Sequence, residues 1–76
     1  MMKITLILEG YLKYKYPSNI IEINYSKPVT ILQVLKDIKI SSADVFFIKV
    51  GDLIVKEDFL LTKSDEVKLF TIIGGG

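Results

Sequence analysis

The chain has 76 residues, half of them apolar, and ten lysines against nine carboxylates give a net charge of +1. That length specifies one small domain, near the lower limit at which an apolar core holds a fold without staples. Cysteine and histidine are both absent, which excludes disulfides, thiolate metal sites and thiol nucleophiles and removes the usual general base.

The charge is evenly spread. Residues 1–38 carry five lysines and three acids, and the remainder five lysines and six acids. Neither half makes the basic stripe of a nucleic-acid binder. No apolar run approaches the length of a membrane span, and the first residues lack the apolar stretch and cleavage site of a secretory leader. A soluble cytoplasmic domain is expected, with neither nucleic acid nor membrane among its partners.

Lys3 to Glu9 reads as a strand, with Ile4, Leu6 and Leu8 on one face. Ile7 breaks the alternation, as in a strand covered in part on both sides. Gly10 to Asn19 is a loop with turn residues Pro17, Ser18 and Asn19. Its Tyr11-Leu12-Lys13-Tyr14-Lys15-Tyr16 interleaves rings with ammonium groups. Such a pattern can stack and neutralise single-stranded nucleic acid, but the charge balance favours a plain loop with rings on the sheet edge. Asn19 to Tyr25 is a second strand with Ile21, Ile23 and Tyr25 inward, and Lys27-Pro28 ends it.

The helix start is the best-specified local feature. Thr30 and Gln33 fit a reciprocal capping box, with Val29 and Val34 as its hydrophobic staple. Ile31, Val34, Leu35 and Ile38 then share a face, leaving Gln33, Lys36 and Asp37 outward. So short a helix does not persist alone and must dock on a sheet. Val45 to Val50 is a third strand, and Gly51-Asp52 turns into a short strand, Leu53-Ile54-Val55. Lys56 to Thr62 is irregular, with Phe59 and Leu60 expected inward. A last strand, Glu66 to Ile73, leads into Gly74-Gly75-Gly76.

Three glycines after a strand make a thin tail, reaching roughly 10 Å when extended and able to enter a channel that would exclude any side chain. The domain is therefore divided as 1–73, the folded part, and 74–76, a flexible tail.

The element order is that of an α+β β-grasp, the ubiquitin-like fold, with a mixed sheet of four to five strands on one main helix. The sequence also resembles the MoaD/ThiS family of sulfur-carrier proteins, closest to the MoaD-like branch, the small subunit of molybdopterin synthase. Gly10-Tyr11-Leu12-Lys13-Tyr14-Lys15-Tyr16 resembles that family's "G-Y-L-R-x-Y" segment. Pro28-Val29-Thr30-Ile31-Leu32-Gln33-Val34-Leu35 resembles its "T-V-x-x-L-L" helix start. Ser64-Asp65-Glu66-Val67-Lys68-Leu69-Phe70 resembles the "G-D-E-V-x-L-F" that precedes the terminal glycines. Two turns depart from the pattern, at Ser64 and at Val50-Gly51-Asp52.

The resemblance implies a carrier rather than an enzyme, with no bound cofactor. A ubiquitin-activating-type adenylyltransferase (MoeB/ThiF-like) would use ATP to adenylate Gly76. A sulfur donor such as a cysteine desulfurase or rhodanese would convert it to a thiocarboxylate. The recipient would be the molybdopterin synthase large subunit or, in the other branch, thiazole synthase. Gly74 and Gly75 would pass through the partner's channel. Alternation along the last strand, with Val67 and Leu69 toward the helix, separately sets Lys68, Phe70 and Ile72 on the outer face beside the tail as a candidate docking surface. A ubiquitin-like protein modifier shares the same activation, and a non-catalytic β-grasp interaction module remains a third reading. An iron–sulfur β-grasp is excluded by the absence of cysteine.

Overall fold

A computed structural model describes residues 1–10 and 18–70. The Tyr11 to Tyr16 segment, Ile72, and the glycines Gly74, Gly75 and Gly76 lie outside the described residues.

Among the described residues, seven strands and one α-helix follow in order. They are β1 (Met2–Leu8), β2 (Ile20–Tyr25), β3 (Val29–Thr30), α1 (Ile31–Asp37), β4 (Phe47–Val50), β5 (Leu53–Val55), β6 (Leu60–Leu61) and β7 (Asp65–Phe70), with a single 3₁₀ turn at Ser42–Asp44. The main sheet has the order β2-β1-β7-β4-β5. The central pair β1 and β7 run parallel, and every other neighbouring pair is antiparallel. β3 and β6 form a separate two-stranded ladder.

Alternation along the strands places one apolar row under the helix. Ile4, Leu6 and Leu8 of β1 and Val67 and Leu69 of β7 are fully buried, as are Ile31 and Val34 of α1. Ile48 and Val50 of β4 extend this core. Ile21, Ile23 and Tyr25 are half-buried and packed against it, as their spacing predicts. Ile7 is half-buried on the opposite face, where β1 lies between β2 and β7.

The helix is held at both ends. Thr30 Oγ1 accepts from the Gln33 N–H at 3.2 Å. The N–H groups of Ile31 and Leu32 donate to the carbonyls of Phe59 and Glu57, at 3.1 and 2.8 Å. All three first-turn donors thus have partners, two of them from the irregular segment before β6. The capping box itself is only half made. Gln33 Nε2 donates to Asp37 Oδ1 at 2.8 Å instead of reaching back to the cap, because the cap residue lies in a strand. At the other end, Lys39 N–H donates to the Lys36 carbonyl and Ile40 N–H to that of Leu35. These bonds make a Schellman closure, with Lys39 in the left-handed region at φ 62° and Ile40 buried.

Three other expectations need correction. Leu60 is half exposed rather than inward, and Leu61 is the buried residue. β6 alternates, so Leu61 opposite Val29 points in while Leu60 opposite Thr30 points out. The third strand starts at Phe47 rather than Val45, since the 3₁₀ turn occupies the chain just before it. The last strand is described as far as Phe70 and includes Asp65.

Candidate docking face

Residues between the buried positions point to the other side of the sheet, which no helix covers among the described residues. On β7 these are Glu66, Lys68 and Phe70, and on β4 they are Phe47 and Lys49. Strand pairing sets Phe47 opposite Phe70 and Lys49 opposite Lys68. Ile7 lies beside Lys68 on β1, and Ile54 beside Lys49 on β5.

The phenyl rings of Phe47 and Phe70 stack, with centroids 4.4 Å apart and planes 6° from parallel. Phe46 sets its ring nearly perpendicular to Phe47 at 5.7 Å and donates its N–H to the Phe70 carbonyl at 2.6 Å. Phe70 is half-buried by this cluster, whereas Phe46 keeps 63% and Ile54 64% of their surface in water. An apolar patch on an open sheet face is the usual mark of a protein contact.

Of the residues expected at the docking surface, Lys68 and Phe70 are brought together on this face. Ile72 and the glycines lie outside the described residues. Sequence reasoning did not single out Phe46, Phe47 or Lys49. Alternation within residues 47–50 was a signal for Phe47 and Lys49, but their place beside β7 depends on a long-range register that no local pattern encodes.

At the opposite, helix-covered side, Tyr25 Oη donates to Asp37 Oδ2 at 2.7 Å. Burial first, and then this bond and the carboxylate's charge, push the Tyr25 hydroxyl well above its ordinary pKa. The Asp37 carboxyl is lowered by the hydrogen bonds from Tyr25 and Gln33. This pair ties the helix to the edge strand. Among the described residues no polar or charged side chain is buried, and no three metal-ligating side chains converge. No helix among them is long and apolar enough to cross a membrane.

No protein-family model matches the sequence, and no curated protein matches it significantly. Among solved structures, the crystal structure of SAMP1 from Haloferax volcanii matches with a TM-score of 0.78. The match covers 97% of this chain and 99% of that one, at 14% sequence identity. The fold is a ubiquitin-like β-grasp. At that identity the likeness is one of fold, and the same fold serves many functions.

Proposed function

We propose that this chain is a sulfur carrier that acts through Gly76 and donates sulfur in the synthesis of a molybdopterin or tungstopterin cofactor. The observation that supports this reading is the placement of β7. It is a central strand, anchored by Val67 and Leu69 in the core, and it presents Phe70 on the open face before continuing toward Gly74-Gly75-Gly76. A carrier needs this combination: a firm anchor, a contact surface and a slender reactive end side by side.

The chemistry follows from the weakness of a carboxylate as an acyl donor. Adenylation by a MoeB/ThiF-like partner replaces a poor leaving group with AMP and releases pyrophosphate from ATP. The terminal sulfur of a persulfide on a cysteine desulfurase or rhodanese displaces AMP to give an acyl disulfide. A second thiol then cleaves its S–S bond, releasing the thiocarboxylate on Gly76 and leaving a disulfide on the donor side. The large synthase subunit then transfers that sulfur to its bound precursor. Gly74 and Gly75 carry no Cβ and fit a narrow channel. Nucleophile and nucleotide both belong to the partners, so this chain acts as a cosubstrate and not as an enzyme.

The test is the intact mass of the protein after incubation with ATP, the host's activating enzyme and a sulfur donor. The expected result is replacement of one oxygen by sulfur, located on Gly76, and its loss when one residue is appended after Gly76. Thiocarboxylate formation with thiazole synthase as the only competent acceptor would move the pathway to thiamin. Conjugation to lysines of other proteins without thiocarboxylate would replace the carrier by a protein modifier. Unimpaired adenylation of the extended chain would remove both.

A further inference from the structure

Lys49 and Lys68 stand directly opposite each other on the open face. Like charges at such a cross-strand position destabilise a sheet. Among the described residues neither lysine has an ion-pair partner, and the Lys3–Glu22 pair at 3.7 Å lies elsewhere on the sheet. Across the strands they are flanked by Ile7 and Ile54; along the strands the stacked Phe47 and Phe70 lie to one side, and Glu66 is the next open-face residue of β7 on the other. Both lysines are half-buried, and long cationic side chains beside apolar neighbours can cover them with their stems while the ammonium stays in water.

We infer that this face binds a partner protein presenting a carboxylate framed by apolar side chains, the carboxylate seating between Lys49 and Lys68. The inference rests on the reading above, in which the partner is the enzyme that activates the tail. An apolar partner surface alone would desolvate two ammonium groups without compensation, which is costly. A carboxylate between them turns mutual repulsion into two attractions, while Ile7, Ile54 and the phenyl cluster take the apolar frame. The pair thus works in both directions, favouring the acidic partner and rejecting a merely greasy one.

Single-stranded nucleic acid would also offer anions to lysines and bases to rings. Phe47 and Phe70 have given their adjoining ring faces to each other, however. Glu22 and Glu66 share the open face on either side of Thr5, where they would repel an extended phosphate backbone more than a single carboxylate seated between the lysines. Those features favour a protein.

The experiment is ATP–pyrophosphate exchange by the purified host adenylyltransferase with the full chain as substrate. Lys49→Gln/Lys68→Gln is expected to lower kcat/KM by about tenfold or more, through KM, and to melt no lower than the native chain once the repulsion is gone. A charge-matched control, Lys27→Gln/Lys56→Gln, changes exchange by less than about twofold. Raising salt from about 50 to about 300 mM weakens the native pair but not the Gln variant. Lys49→Arg/Lys68→Arg retains exchange. Native exchange that is unaffected by the Gln changes overturns the inference and leaves the carrier reading standing. Failure of the Arg variant to the same degree as the Gln variant also overturns it, because charge is then not what matters. Binding of a 20-nucleotide oligouridine by the native chain, abolished by the Gln changes while exchange persists, overturns it in favour of nucleic acid. No exchange by the native chain removes the carrier reading, and the inference falls with it.

Discussion

The two faces of the main sheet are made by the same strands, yet they obey different rules. The inner face is aliphatic and closed, with Ile4, Leu6, Leu8, Val67 and Leu69 fully buried against the helix. The outer face mixes aromatic, aliphatic and cationic side chains, and it leaves Phe46, Ile20 and Ile54 largely in water. Stability alone accounts for the first. For the second it does not, since a lone domain gains nothing from opposed lysines or wetted phenyl rings. The difference teaches that adjacent residues of one strand, such as Leu69 and Phe70, meet separate surroundings: the first the closed core, the second the open face.

Leu69 and Phe70 therefore provide the sharpest way to break that contrast. Leu69→Ala removes a fully buried side chain and is expected to cost about 2–5 kcal/mol in chemical denaturation. Phe70→Ala forfeits its stack on Phe47, which at about 0.5–1.5 kcal/mol is the smaller loss, while weakening the complex with the activating enzyme. Equal destabilisation by the two substitutions would make Phe70 a core residue and dissolve the distinction between faces. A Phe47→Ala/Phe70→Ala double-mutant cycle, read by the same denaturation, isolates the ring-ring energy from area burial.

Much of the inner face was legible in the sequence, and much less of the outer one. Alternation in residues 3–9 and 66–69 gave the buried rows directly, because burial on one side of a strand leaves a period of two. Thr30 was readable as a cap because hydroxyl and N–H are near neighbours in the chain. Gln33 misled, since its choice of Asp37 over the cap depends on where a second strand ties down the backbone. Leu60 and Leu61 exchanged places because their orientation comes from pairing with β3, some thirty residues earlier. The opposition of Lys49 and Lys68 was hidden for the same reason. The left-handed Lys39 carried no sequence signal at all, as glycine is the residue such a closure ordinarily uses.

Lys39 offers a test of the helix layer that should leave the outer face untouched. Its φ of 62° strains an L-residue by roughly 1–2 kcal/mol, part of which glycine returns as greater freedom in the unfolded chain. Lys39→Gly is expected to stabilise the domain by up to about 1 kcal/mol, raising the melting temperature by several degrees, without altering exchange by the activating enzyme. A lower melting temperature would mean that the lysine side chain contributes more than its backbone costs. A change in exchange would mean that the partner reaches round to the helix.

The smallest effect belongs to the edge of the helix-covered side, where Tyr25 bonds Asp37. The folded Asp37 carboxyl lies below its unfolded value, so its contribution is present above the unfolded carboxylate range, near about 4, and is lost as pH falls through the folded value. The folded Tyr25 hydroxyl lies above its unfolded value of about 10. Its contribution is therefore complete below about pH 10 and is lost as pH rises beyond that toward the folded value. Tyr25→Phe removes the hydroxyl's linkage and the part of Asp37's that the hydroxyl supplies, leaving the Gln33 bond to Asp37 in both chains. The gap in melting temperature between native and variant chains should be flat from about pH 5 to pH 9 and should narrow on either side. Subtracting the variant cancels the lysines, which titrate near the same alkaline pH in both chains. A gap that stayed constant across the range would show that the hydroxyl contributes only packing, and that the helix is held to the sheet by its apolar face alone.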